Sequence, residues 1–352
     1  MQNVIHLTVP SRIAPLEARI TALLGCFAEH RRKGADVFWL KENAELLNIL
    51  ECTGQTVAPA ALQTHAEFYD GAQARLEFFP QYYRFLLSIV LDLEELGDFG
   101  NSSQRMVEFA RDKGLAEAEL SDLQRAEARR LMMRRGVDPL RDPGLDDRLR
   151  GFCERTATFA LPNKKAAYEL THIVYYLSEY GRRDPELGPK ALTSLHFVGL
   201  TALLDQNADL LAEVCIALVY AGQEPPQDWT DWLERETAAF AVEAGDHVAV
   251  NDDYHEFLVL NWHQAVIGAP LFRKPLEQGR MRFDRGLRPR TALREISEAM
   301  LAMDRRSGDW DQMRRDIVPA LSETSLEVLT TASQSSALFG AFFAGFARAG
   351  AA

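Results

Sequence analysis

Two stretches of this 352-residue chain set imidazole and carboxylate groups at helical spacing: Glu169-x-x-His172, and Asp252-x-x-His255 running on through Glu256 to His263. At about 100° per residue, Asp252, Glu256 and His263 fall within roughly 40° of one another on a helix, with His255 some 60° away. Side chains so placed converge. Facing one another, the two helices would offer Glu169, His172, Asp252, His255, Glu256 and His263 to a divalent cation, because carboxylates and imidazoles together suit hard-to-borderline ions. Without a metal the same windows supply acid–base groups, with His172, His255, Glu169 and Tyr176 as the catalytic candidates. The competing reading is structural: a neutral core histidine bonded to a tyrosine hydroxyl or a carbonyl. Tyr168, Tyr175, Tyr176, Tyr254 and Trp262 around both histidines weigh against it.

Several better-defined sites drop out. Carboxylate-bridged dinuclear bundles need Glu-x-x-His twice, and it occurs once. The second histidine after His255 comes eight residues on, which is not the zincin spacing. Asp252-Asp253-x-x-Glu256 reads as a variant of the aspartate-rich magnesium–diphosphate motif of isoprenoid enzymes, a minor alternative, since helix capping also favours acids at that position. There is no Gly-x-Ser-x-Gly elbow, Walker loop or Gly-x-Gly-x-x-Gly. Cys26, Cys52, Cys153 and Cys215 lie far apart among apolar neighbours, as reduced core thiols do.

The elements that must position these groups read as helices. Within residues 163–181, Ala166, Leu170, Ile173, Val174 and Leu177 share one face, while Tyr168, His172, Tyr175, Tyr176 and Glu179 share the other. A helix with two organised faces is an inner helix. Further helices are expected over 12–32, 38–53, 59–76, 80–97, 101–113, 117–135, 145–160, 189–205, 207–222, 227–243, 252–267, 289–306, 309–320 and 324–348. The alternation of Val4 to Val9 allows a single short strand. The fold expected is all-α: one domain over 1–352, with a subdivision point near 136–145, built as an array of antiparallel helix pairs curved into a solenoid or closed in an α/α-toroid-like ring.

Four charged segments have plain readings. His30 with Arg31, Arg32 and Lys33 reads as a solvated helix end, and so do Arg129, Arg130, Arg134 and Arg135. The helix carrying Trp39, Glu42 and Glu45 reads as amphipathic, with an inner polar face as its alternative. The Arg-rich connection 272–290 reads as a loop docked on an acidic body, or as a lid that steers an anionic substrate with Arg282, Arg285 and Arg288.

With 39 basic and 51 acidic residues the chain carries −12, which opposes binding to nucleic acid or to anionic membranes. No apolar run reaches the length of a membrane span, and no signal peptide is read, so the expectation is a cytoplasmic protein of unspecified oligomeric state.

The run Glu169-Leu170-Thr171-His172 through Tyr176-Leu177-Ser178-Glu179-Tyr180-Gly181, followed by Pro225-Pro226 and Tyr254-His255, resembles a loosely defined group of uncharacterised bacterial helical proteins. In that group Asp-Leu-Thr-His, a few apolar residues and Thr-Asp-x-Gly precede a later Tyr-His. The resemblance covers about residues 125 to 265. It implies an α/α-toroid-like array with His172 and His255 turned inward, and implies no reaction. Ser178-Glu179 stands in place of Thr-Asp.

Two functions are therefore expected in competition. One is an enzyme using a divalent metal or acid–base groups on a small, anionic substrate. The other is a non-catalytic helical module that binds a peptide or partner protein.

Overall fold

The computed structural model describes residues 13–32, 36–97, 99–286 and 290–348. The expected strand at 4–9 and Arg288 lie outside them. Helix α1 (Leu16–Gly25) continues through one π-helical turn (Cys26–His30). It is followed by α2 (Val37–Cys52), α3 (Pro59–Leu62), α4 (Ala66–Phe78), α5 (Tyr83–Leu96), α6 (Ser102–Asp112), α7 (Asp122–Met133), α8 (Leu145–Cys153) and α9 (Thr156–Phe159). Then come α10 (Lys164–Leu177), α11 (Pro189–Leu204), α12 (Ala208–Tyr220), α13 (Gln227–Ala239), β1 (Ala241–Ala244), α14 (Tyr254–Val266) and β2 (Met281–Asp284). The chain ends in α15 (Ala292–Leu301), α16 (Trp310–Ile317), α17 (Glu323–Ser335) and α18 (Phe339–Phe346). Among the described residues the fold is all-α apart from one two-stranded ribbon, β1 with β2.

Six helices form a closed ring of neighbours: α2 packs on α5, α5 on α7, α7 on α10, α10 on α12, α12 on α14, and α14 back on α2. They run in one direction. Arg84, early in α5, meets Glu127 of α7, and two turns later Asp92 of α5 meets Arg134 at the end of α7. Likewise Glu45, His172, Glu213 and His255 share one level of the ring, while Cys52, Tyr180, Tyr220 and Val266 share the level beyond it. Between ring members the chain passes outward through α6, α8, α11 and α13 in turn.

Local sequence fixes where the ring helices begin. Asp36, Ser121, Asn163 and Asn207 each cap a first turn, accepting from Trp39, Gln124, Ala166 and Leu210 backbone N–H groups. Each such cap stabilises its helix by about 1 kcal/mol. Helix α12 is buried on every side from Leu210 to Leu218, as a helix apolar all round must be.

Several expected helices divide or stop short. The span 145–160 divides at Glu154–Arg155 into α8 and α9, and 324–348 divides at the extended Ser336 into α17 and α18. The span 227–243 stops at Ala239, because residues 241–244 pair antiparallel with 281–284 inside the Arg-rich connection. Asp252 holds that ribbon, accepting from the Phe283 N–H at 2.9 Å.

The two helix ends expected to be solvated are so only in part: His30 is exposed, but Arg31 and Arg130 are buried and Arg134 is largely covered. Arg31 is 4% exposed and reaches Glu42 at 2.9 Å, Asp252 with two bonds of 2.8 Å, and the Met281 carbonyl at 2.8 Å. Arg134 meets the fully buried Asp92 at 2.6 Å, and Arg130 lies 4.2 Å from the centre of the Tyr180 ring. Local charge counting misses this because the partners come from α2, α5 and the loop before α14.

Candidate functional site

Inside the ring lies a cavity of about 350 Å³. Every ring helix lines it: Glu45 and Asn48 from α2, Arg84 and Ser88 from α5, Gln124 and Glu127 from α7, His172, Tyr175 and Tyr176 from α10, Glu213 from α12, and His255 and Trp262 from α14. Glu213 and His255 of this lining, with Asp209 one turn before Glu213, bring donor atoms within 4.8 Å of one another at the edge of the cavity. Asp209 and Glu213 stand four residues apart, so one face of α12 presents both carboxylates.

Each of these groups is held by one polar atom, and its other polar atom lies beside a neighbouring imidazole or carboxylate. The Tyr168 hydroxyl donates to Asp209 Oδ2 at 2.7 Å, and Thr171 Oγ1 donates to Glu213 Oε2 at 2.5 Å. Glu45 Oε2 engages His255 Nδ1 at 3.1 Å. Asp209 Oδ1 is buried without a hydrogen bond, its nearest cation being His255 Nε2 at 3.5 Å. Glu213 Oε1 lies 3.6 Å from His172 Nε2. A carboxylate on the remote imidazole nitrogen is the arrangement that orients metal-ligating histidines.

The electrostatics follow from this crowding. Burial disfavours a charged His255, but the Glu45 hydrogen bond and charge, with Asp209 and Glu213, outweigh it and push the imidazole up to about 9. Burial likewise opposes protonation of His172, and the charge of Glu213 reverses the balance and raises it. Burial also lifts the Asp209 carboxyl above its ordinary range, against the pull of His255. Tyr175 and Tyr176 are raised far above the usual phenol value, chiefly by burial, and so stay neutral. Three acids next to two imidazoles can share protons or hold a cation.

The residues singled out by spacing divide. His172, His255 and Tyr176 line the one cavity. Glu169 is half-buried and does not line it; it sits three positions before His172, and the carboxylate that reaches His172 comes from α12 instead. Asp252 is taken by Arg31 and Phe283, and Glu256 by the Arg285 guanidinium at 2.5 Å. His263 is fully buried outside the cavity, and burial pushes it down to about 4. Asp252, Asp253 and Glu256 thus bond into the ribbon side, Asp253 accepting from the Arg285 N–H at 3.2 Å, which leaves no open aspartate-rich face for magnesium and diphosphate. Arg282 pairs with Asp284 at 2.8 Å, and the side chain of Arg285 is 5% exposed between Glu236 and Glu256. Neither lines the cavity: Arg285 docks the connection on α13 and α14, whereas Arg282 pairs within β2 itself.

Asp209 and Glu213 are the residues that spacing does not single out, and Glu45 enters only through the alternative inner face of its helix. Their signal was present. Glu213 is the only charged residue between Leu210 and Tyr220, and a carboxylate in such a run is either paired inside or misplaced.

A family model described as Domain of unknown function (DUF6902) matches residues 1–349, and the chain belongs to that family. No curated protein and no solved structure matches it.

Proposed function

We propose that this DUF6902 chain is a metal-assisted enzyme acting on a small molecule inside the ring. Asp209, Glu213 and His255 hold a divalent cation, and His172 is the neighbouring acid–base group. The observation that supports it is the clustering of three donor atoms within 4.8 Å while Tyr168, Thr171 and Glu45 fix the other atom of each ligand. Two carboxylates and one imidazole suit Mn²⁺, Fe²⁺ or Zn²⁺, and three protein ligands leave coordination positions for substrate. Such an ion supplies Lewis acidity, polarising an oxygen of the substrate or of water. His172 borders the same space from α10, and Tyr176 adds a neutral hydroxyl beside it.

Metal analysis tests this directly. Untagged protein purified without chelators is expected to carry about one divalent ion per chain by mass spectrometry. Glu213→Gln and His255→Ala should bring it to background, while Glu169→Gln and His263→Leu keep it. Protein that takes up no Mn²⁺, Fe²⁺ or Zn²⁺ on titration would sink the metal reading. A second reading then takes its place: the ion pairs of His255 with Glu45 and Asp209 also support plain acid–base catalysis without a cation.

A further inference from the structure

The ring holds two compartments. Besides the 350 Å³ cavity, a pocket of about 680 Å³ opens at the far ends of α2, α10, α12 and α14, lined by Cys52, Arg182, Tyr220 and Val266 among others. Among the described residues Tyr180 alone lines both. Its ring stands in an aromatic layer, 5.7 Å from Trp262 and 5.8 Å from Tyr175, with the Arg130 guanidinium at 4.2 Å.

The backbone that puts the ring there is strained. Glu179, Tyr180 and Gly181 have φ of 49°, 56° and 84°, three left-handed residues in succession. For a bulky side chain this conformation costs about 1 kcal/mol, and such strain persists where surrounding contacts enforce it. Those contacts are visible: the Gly181 N–H donates to Ser178 Oγ at 3.2 Å, and a Cβ on Gly181 would lie 2.6 Å from the Tyr220 ring. The turn has one shape, and that shape aims Tyr180 between the compartments.

We infer that Tyr180 is the specificity-determining residue of the site, the floor that sets how long a substrate the metal end of the cavity accepts. The inference rests on the metal reading of Asp209, Glu213 and His255. With the ring present, the substrate is a compact molecule confined to 350 Å³. With a short side chain in its place, the two compartments join and a chain-like molecule can run from the cluster into the outer pocket.

A ladder of straight-chain alkyl hydroxamates reads this length, because the hydroxamate head chelates the cation and the tail measures the depth behind it. The variants are Tyr180→Asn, which tolerates left-handed backbone, and Tyr180→Phe, which keeps the ring. On Mn²⁺- or Zn²⁺-loaded wild type, affinity should rise roughly fourfold per buried methylene up to a cut-off and then fall. Tyr180→Asn should move the cut-off to longer chains, and Tyr180→Phe should leave it. An unchanged cut-off in Tyr180→Asn overturns the inference. If no hydroxamate binds at any length, the metal reading fails instead, and a crystal structure of Tyr180→Asn decides the role of Tyr180. A continuous void joining the pockets supports the floor, and Trp262 or Tyr220 collapsed into the vacated space refutes it.

Discussion

The cluster on α12 and α14 is built from groups that a fold alone would avoid. Asp209 keeps a buried oxygen without a hydrogen bond, and burial raises its carboxyl, against the pull of His255. A raised carboxylate weakens the folded state as pH climbs past the ordinary carboxylate range, because the unfolded chain ionises more easily. Asn at this position removes that cost while still accepting from Tyr168. Asp209→Asn should therefore raise the melting temperature of chelator-treated protein by a few degrees and abolish the further rise that metal produces in wild type. Differential scanning calorimetry with and without Mn²⁺ reads both effects, and a fall in the metal-free melting temperature would count against a functional reason for the acid. Glu45 makes a subtler prediction. It touches His255 from the side away from Asp209, so Glu45→Gln should weaken metal binding by about 10–100-fold without eliminating it, measured by competition with a chromophoric chelator.

Element packing explains both what local sequence revealed and what it concealed. Helix α11 crosses α13 with Gly199 pressed against the fully buried Trp229 indole, and a methyl group there would collide with the ring. Gly199→Ala should destabilise the protein by about 1–3 kcal/mol in urea unfolding, despite the better helix propensity of alanine. A stability gain would mean that α13 shifts freely. The two faces of α10 were legible because tyrosine and histidine on one side and aliphatics on the other leave a plain periodic trace, and the all-α class followed from similar traces along the chain. The cluster was legible only in part. Its imidazoles sit on helices with unusual polar faces, whereas its carboxylates sit on α12, whose unbroken apolar run reads simply as a buried helix. Glu42 and Glu45 were hidden in the same way, since an amphipathic pattern does not say that its polar side also faces inward. Asp252 and Glu256 misled for the opposite reason. Their spacing suited a metal, but Arg31 and Arg285 arrive from 221 and 29 positions away, and no helical period encodes such pairings.

At the scale of the whole molecule, closing the ring traps two histidines in a neutral state. His65 is fully buried between Thr64 and Asn43, with Nε2 2.8 Å from Asn43 Oδ1, and His263 is fully buried on α14. Burial lowers both to about 4. In the unfolded chain each titrates near about 6.5. Between those values the unfolded state binds more protons, so unfolding becomes easier as acid is added. The stability these neutral rings allow is complete above about 6.5 and declines as pH falls toward 4, by up to about 1.4 kcal/mol per pH unit for each ring. Urea unfolding at pH 6, 5.5 and 5, below the range in which the raised His255 changes its contribution, should therefore show a falling midpoint, well before most carboxylates protonate. His263→Leu isolates the contribution, since this ring lines no part of the cavity and, among the described residues, neither of its nitrogens forms a hydrogen bond. That variant should flatten the pH slope by about half while metal content stays at the wild-type level. A slope that His263→Leu leaves unchanged would show that the ring takes up its proton without opening the fold, and would place the acid sensitivity elsewhere.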